Sequence, residues 1–312
     1  MAADLDIHPA SRDEVIAAHH NVFDIWSKGR SLADHVRHRL QSPTHRRAEW
    51  FVGCVDRRVV TSLAGHPVRF KIGADEFSGI AIGSVYTLRD VRGHGFAPRL
   101  IRWVEDFKRE QGTGLSVLYS DIKPDYYAQL GYQLCPAWQG WCDVQAAAAR
   151  RPATHRLAAF SADDHLPLVK RLYAGYHGAR PLSIARNDEY WSMMLEKFAA
   201  CQFYSLIAAQ GNWQGYALLD ATTAKWRIID YALADHSPAL LAELYAAVIA
   251  AAQAAGAERA GGWLPDVAAA RELFEVTPRK DEITMIKPLA WHGTLTPEMI
   301  AGTTYFCELD HV

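Results

Sequence analysis

Cysteine is scarce and unpatterned in this 312-residue chain. Cys54, Cys135, Cys142, Cys201 and Cys307 are odd in number, scattered, and nowhere form Cys-x-x-Cys. That argues against a disulfide framework or a cysteine-built zinc site, and makes reduced thiols in a cytoplasmic protein the expectation. No apolar run approaches the ~18 residues of a membrane-crossing helix. The start, Met1-Ala2-Ala3-Asp4-Leu5-Asp6, lacks the charged-then-apolar pattern of a secretory leader. An excess of one charge is missing too: 33 Lys and Arg stand against 35 Asp and Glu, a formal net charge of -2. No global field therefore favours nucleic acid or an anionic membrane as partner. Metal ligands are equally thin. His35 and His38 lie one turn apart on an expected helix over 31–40, but no third ligand of suitable type stands nearby, so they read as solvated surface histidines.

What is present suits a globular protein with sizeable cores: 50% of residues are hydrophobic and 22% charged. The length corresponds to about two domains at ~150 residues each. The chain is organised around residues 80–109. Ile80 to Thr87 reads as a strand rich in β-branched and aromatic residues. Leu100, Val104 and Phe107 then fall at helical spacing, widened by Ile101 and Trp103, and Gly112 is the expected stop. Between them lies Arg92-Gly93-His94-Gly95-Phe96-Ala97. A strand, a turn with two glycines and a helix start form a phosphate-binding arrangement, because glycine admits the anion and the free N–H groups point at it. A mononucleotide loop needs Lys-Ser or Lys-Thr after the second glycine, where Phe96-Ala97 stands; a dinucleotide fingerprint needs a third glycine where Pro98 stands.

The pattern Val-x-Thr-x4-Arg-Gly-x-Gly-x-Ala, from Val85 to Ala97, instead resembles the acetyl-CoA loop of the GNAT superfamily of N-acetyltransferases. The resemblance implies that Val85, Tyr86 and Thr87 take the pantetheine arm and that Arg92, Gly93, His94, Gly95, Phe96 and Ala97 take the pyrophosphate. Asp90 departs from the family, which has Gln or Arg three residues before the first glycine. A second segment, Tyr126-Tyr127-Ala128-Gln129-Leu130-Gly131-Tyr132, is similar to the family's Phe-Tyr-x-x-x-Gly-Phe. It implies that Tyr127 protonates the departing thiolate, a sensible task for a phenol held near sulfur, while Tyr126 reads as packing.

In chain order, Ser11 is a candidate N-cap for a first helix, and 50–55 and 59–70 read as strands joined at Asp56-Arg57-Arg58. The run from Gly79 to Thr87, after a long hairpin, resembles the Eis-like branch of GNAT enzymes, which carry a second GNAT-like domain. Past the alanine-rich stretch 146–152, the same order of two helices, three strands, a helix, a strand, a helix and a strand (283–286) is read again. The copies differ at the loop: Ala234-Asp235-His236-Ser237-Pro238 has no glycine pair, and Asp235 or Ser237 can cap the following helix internally. Leu273-Phe274 also replaces the tyrosine segment, so the second copy reads as structural.

The expected fold class is therefore α/β: two tandem GNAT-like acyl-CoA N-acyltransferase folds with mixed, mostly antiparallel sheets flanked by helices. Residues 1–145 would carry the acetyl-CoA loop and 153–312 a degenerate copy ending in a strand extension. Only 23 residues follow Leu289, too few for the sterol-carrier-like domain of that branch. The resemblance implies acetyl-CoA as acyl donor, a small-molecule amine acceptor, and the terminal carboxylate of Val312 as general base; Asp310, Glu308 and Asp121 are further candidates. A CoA-binding sensor and a protein N-acetyltransferase stay open as alternatives, and so does homo-oligomerisation.

Overall fold

The computed structural model describes residues 4–311. Its first half runs β1 (Asp6–Pro9), α1 (Arg12–Asn21), α2 (Phe23–Trp26), α3 (Leu32–Gln41), α4 (Pro43–Arg47), β2 (Glu49–Val55), β3 (Arg58–Ile72), β4 (Asp75–Thr87), α5 (Phe96–Glu110), β5 (Leu115–Ser120), α6 (Asp125–Ala128), β6 (Gln133–Leu134) and β7 (Trp138–Asp143). Ser11 starts α1 with a capping box: its side chain accepts from the Glu14 N–H, and Glu14 Oε2 accepts from the Ser11 N–H at 2.8 Å. The β2–β3 hairpin turns on Asp56 and Arg57, both at positive φ (49° and 64°), as a two-residue turn matched to strand twist requires. On α5 the expected stripe is real. Leu100, Ile101 and Val104 are fully buried against Phe51 and Leu63, each supplying roughly 1.5–3 kcal/mol of hydrophobic stabilisation. Gly112, at φ 78°, follows the helix end.

The second half continues α7 (Val144–Arg150), β8 (Arg156–Phe160), α8 (Ala162–Gly178), β9 (Ser183–Ala185), α9 (Asp188–Lys197), β10 (Gln202–Ile207), β11 (Trp213–Asp220), β12 (Lys225–Leu233), α10 (Pro238–Ala254), β13 (Arg259–Gly262), α11 (Ala268–Arg271), β14 (Glu275–Pro278), β15 (Ile283–Pro288) and α12 (Pro297–Gly302). The strands form two mixed, mostly antiparallel sheets flanked by helices. One has the order β1-β2-β3-β4-β5-β15-β6, with β9 on β3; the other has the order β14-β7-β13-β12-β11-β10-β8. Among the described residues no helix is long and apolar enough to cross a membrane.

The sheets exchange their last strands. β15 was expected to complete the second half, yet it lies in the first sheet, pairing Ile283 with Ser120 through Pro288 with Leu115 on one side and Met285 with Leu134 on the other. In return β7 enters the second sheet between β13 and β14. A short strand buried on both faces carries no sign of which sheet it joins: Thr284, Met285 and Ile286 are all fully buried. The β7–β13 contact requires glycine at 261, since a Cβ there would stand 2.1 Å from the Gly140 carbonyl oxygen.

Two expectations are corrected. The terminal segment is no strand: after α12 come two single 3₁₀ turns, Thr303–Tyr305 and Glu308–Asp310. Side chains rather than a ladder hold it. Arg186 donates to Asp310 at 2.9 and 2.8 Å and to Asp230 at 2.8 and 3.0 Å, with all three side chains almost wholly inside. Burial raises the Asp310 carboxyl despite Arg186; at Asp230 burial also pushes upward, but Arg186 prevails and the carboxyl is lowered. Nor is His35 a solvated histidine: it is fully buried, with Nε2 3.2 Å from the His19 carbonyl oxygen.

Candidate active site

The site begins where two parallel strands part. β4 and β5 pair only from Gly79–Leu115 to Ile82–Leu118, after which each runs on without the other. Just past that point β4 bulges: Tyr86 opposes Ser62 and Gly83 opposes Ala64, leaving one extra residue on β4. Ser84 takes φ 51° to accommodate it. Splay and bulge open a cleft of about 720 Å³, within the usual range for a small-molecule site.

One end of the cleft is the glycine turn. Gly93 and Gly95 have φ 84° and 73°, and a Cβ on either would meet nothing within 4 Å. Their glycine character thus answers a conformational need and leaves the backbone bare. Gly95 occupies the N-cap of α5 without a side-chain cap, and among the described residues the N–H groups of Gly93, His94 and Gly95 donate to no backbone acceptor. With the first N–H groups of α5 and the helix dipole, they make an anion cradle. Arg92 Nε donates to the Thr87 carbonyl at 3.1 Å and the guanidinium sits 5.5 Å from the Tyr86 ring centre, which among the described residues leaves its two terminal nitrogens free at the cleft. Asp90 does not oppose this. Arg58 donates to it at 2.7 Å, which holds the carboxyl below its usual range, and it lies outside the cleft lining.

The other side of the cleft carries Tyr127, 8% exposed, edge-on to Tyr126 at 5.0 Å and to Tyr132 at 6.0 Å. Burial, and then the neighbouring Tyr126 and Asp121, push its phenol above the ordinary tyrosine range, so it stays protonated at neutral pH.

Val85, Tyr86, Thr87, Arg92, Gly93, Gly95, Phe96, Ala97 and Tyr127 all line this one cleft. His94 does not: its Nδ1 lies 3.1 and 3.2 Å from the Val91 and Arg92 carbonyl oxygens, and its ring stacks on Phe96. Val312, whose terminal carboxylate the resemblance implies as general base, lies outside the described residues. Tyr126, read as packing, also borders the cleft. Ile25, Leu118, Tyr119 and Ile122 were not foreseen. Leu118 closes the last β4–β5 pair, and Tyr119 follows from the splay, since a β5 residue beyond that pair borders the gap. Ile25 and Ile122, about half exposed at 46% and 50%, sit on segments that no sequence pattern brings together.

A second cavity of about 310 Å³ adjoins the first, sharing Trp26, Ile82, Gly83, Ser84, Tyr119 and Asp121. His45 and His311 also border it; burial lowers their imidazoles to about 2 and about 3, so both are neutral. His311 is delivered there by the pinned tail, where the Lys197 ammonium donates to its carbonyl.

In the second sheet the equivalent loop is closed. Ser237 Oγ accepts from the Leu240 N–H at 3.2 Å, and Asp235 Oδ1 accepts from the Ser237 N–H at 2.8 Å. The start of α10 therefore caps itself, as the sequence implied.

Comparison with known proteins agrees with this geometry. Residues 6–135 match the acetyltransferase (GNAT) domain model. Among curated proteins no sequence matches. Among solved structures, a probable N-acyltransferase from Enterococcus faecalis V583 aligns with TM-score 0.73 at 11% identity, covering 93% of this chain and 73% of that one. Eis1 from Mycobacterium abscessus aligns with TM-score 0.61 at 15% identity, over 92% of this chain and 74% of its own. A tandem GNAT protein from the clavulanic acid biosynthesis pathway aligns with TM-score 0.53 at 13% identity, over 92% of this chain and 99% of its own. Residues 6–135 thus match a GNAT acetyltransferase domain, and the two-sheet fold of the whole chain is similar to the folds of these solved structures.

Proposed function

We propose that the protein is an acetyl-CoA-dependent N-acetyltransferase that moves the acetyl group directly to the amine of a small-molecule acceptor, with residues 1–145 binding the donor and 153–312 a degenerate copy. One observation carries this reading: an uncapped glycine turn, a splayed β4 and a protonated Tyr127 border a single cleft. The thioester supplies an activated acyl carbon. Everything else falls to the chain. Gly93 to Ala97 and Arg92 hold the pyrophosphate, and the edge of β4 from Gly83 to Thr87 that β5 leaves unpaired aligns the pantetheine arm like an added strand. The acceptor enters from the second cavity, and the two substrates meet at Ser84. Asp121 lines both cavities and its Oδ1 accepts from the Glu282 N–H at 3.1 Å. It takes the amine proton, directly or through water. The amine nitrogen bonds to the acyl carbon, the carbon–sulfur bond breaks, and Tyr127 gives its proton to the thiolate. An acid beside a pyrophosphate would favour a non-catalytic sensor, but Asp90 pairs with Arg58 outside the cleft lining, so transfer is the better-supported reading. Mixing the protein with acetyl-CoA and a panel of amines, and following thiol release, tests it; acetyl-CoA binding without release across the panel would sink it.

A further inference from the structure

The second cavity has a charge pattern that holding acetyl-CoA in the first does not explain. None of the loop residues 92–97 lines it, so it is not part of the pyrophosphate cradle. Lys28, Arg30 and Arg39 border it, and Asp121 is its one carboxylate among the described lining residues. No carboxylate lies within ion-pair distance of these three cations among the described residues. Arg39 is the most constrained. Its guanidinium lies 5.0 Å from the Trp26 ring centre, one terminal nitrogen donates to Ser84 Oγ at 3.3 Å, and among the described residues the other terminal nitrogen has no hydrogen-bond partner. Burial lowers it only to about 10, so it remains a cation at neutral pH. A desolvated guanidinium held by an aromatic face and a hydroxyl, with a donor left over, is a site waiting for an anion.

Resting on the transferase reading, we propose that the acceptor is a small amine that also carries an anionic group, carboxylate or phosphate. Arg39, with Arg30 and Lys28, holds the anionic end, and Asp121 receives the amine. The separation of unlike charges across the cavity fixes which end faces Ser84 and the thioester. It also disfavours polycationic amines, which would set ammonium groups against three cations.

Matched acceptors test this with acetyl-CoA and thiol release as readout: amino carboxylates, their neutral amides, amines bearing a phosphate ester, and linear polyamines. The expectation is that one anionic class exceeds the neutral amides by about tenfold or more in kcat/KM, as one charge-assisted contact supplies; which class wins tells carboxylate from phosphate. Arg39→Gln should raise KM for the preferred acceptor about tenfold and erase the preference, with Arg39→Lys restoring part of it. Should Arg39→Gln fail to fold, Lys28→Gln with Arg30→Gln, on the loop before α3, serves instead. Preference for neutral or polycationic amines overturns the proposal and leaves the transferase reading standing. No thiol release from any acceptor overturns the transferase reading. In that case calorimetry of the amino carboxylate or phosphate amine alone decides this site: loss of binding in the variant supports it, and equal or absent binding refutes it.

Discussion

The same structural position, the entry into the long helix after the third meander strand, is built in opposite ways in the two sheets. In the second, Ser237, Asp235 and Pro238 satisfy the start of α10 from within. In the first, Gly95 leaves the start of α5 bare. A serine cap is worth a few tenths of a kcal/mol over glycine, so the first sheet forgoes a little stability where the second collects it. The difference teaches where to look for function in a duplicated fold: at the copy whose local rules are broken. The tyrosine segment repeats the lesson. Tyr127 borders the cleft, whereas Leu273 and Phe274 fill the corresponding place as buried core.

The strand exchange limits how independent the two sheets are, and cutting the chain gives the largest expected effect. A fragment of 1–145 would lack β15, the strand between β5 and β6, and would carry β7 with no sheet to join. It should be unfolded or aggregated and should not bind acetyl-CoA, while co-expression with the remainder restores binding. Circular dichroism and isothermal titration check this; a monodisperse, acetyl-CoA-binding fragment would end the argument.

Acid should then separate the sheets. His19, His45 and His66 cluster beside Trp50, and burial foremost lowers them to about 3, about 2 and about 3 from 6.5. A depressed folded value gives stability that is complete above pH 6.5 and is lost as pH falls toward the folded values. Within that window the unfolded chain binds more protons, at about 1.4 kcal/mol per pH unit for each histidine. In the second half burial lowers His177 only to about 4. Hydrogen exchange at pH 5 should therefore show α1, β2 and β3 opening before β11 and β12; the reverse order would contradict it.

Tyr127→Phe comes next. Removing the proton donor should lower kcat by about 10²–10³ and leave KM for acetyl-CoA nearly unchanged, because the cradle lies on the other side of the cleft. Steady-state kinetics separate the two parameters, and a variant with full kcat would take Tyr127 out of the chemistry.

Much of this could be read from residues, and the part that could not has physical reasons. The glycine pair, the stripe on α5, the Ser11 cap and the self-capped α10 are local, and local chemistry shows in local sequence. The strand exchange was invisible because β15 is buried on both faces and its apolar run fits either sheet. The basic cavity was invisible because Lys28, Arg30, Arg39 and Asp121 are assembled from a loop, a helix and a strand end. The histidines misled for a related reason: a polar residue buried by tertiary packing, such as His35, reads as surface by composition alone.

The smallest effects come from swapping the two helix starts. Gly95→Ser adds a hydroxyl at the start of α5, worth only a few tenths of a kcal/mol over glycine as a cap, but forces a Cβ into left-handed backbone at roughly 1–2 kcal/mol. Stability should fall by about 1 kcal/mol. The capping hydroxyl would compete with the pyrophosphate for the same N–H groups, so KM for acetyl-CoA should rise about tenfold, the worth of one charge-assisted hydrogen bond. Ser237→Ala is the reciprocal experiment. It frees the Leu240 N–H in a place that also has Asp235 and no glycine, so it should cost about 1 kcal/mol, or about 2–4 °C in Tm, with kinetics unchanged. If Ser237→Ala altered KM for acetyl-CoA as much as Gly95→Ser does, the two helix starts would not divide the labour between stability and binding, and the second sheet would have to be given a part in holding the donor.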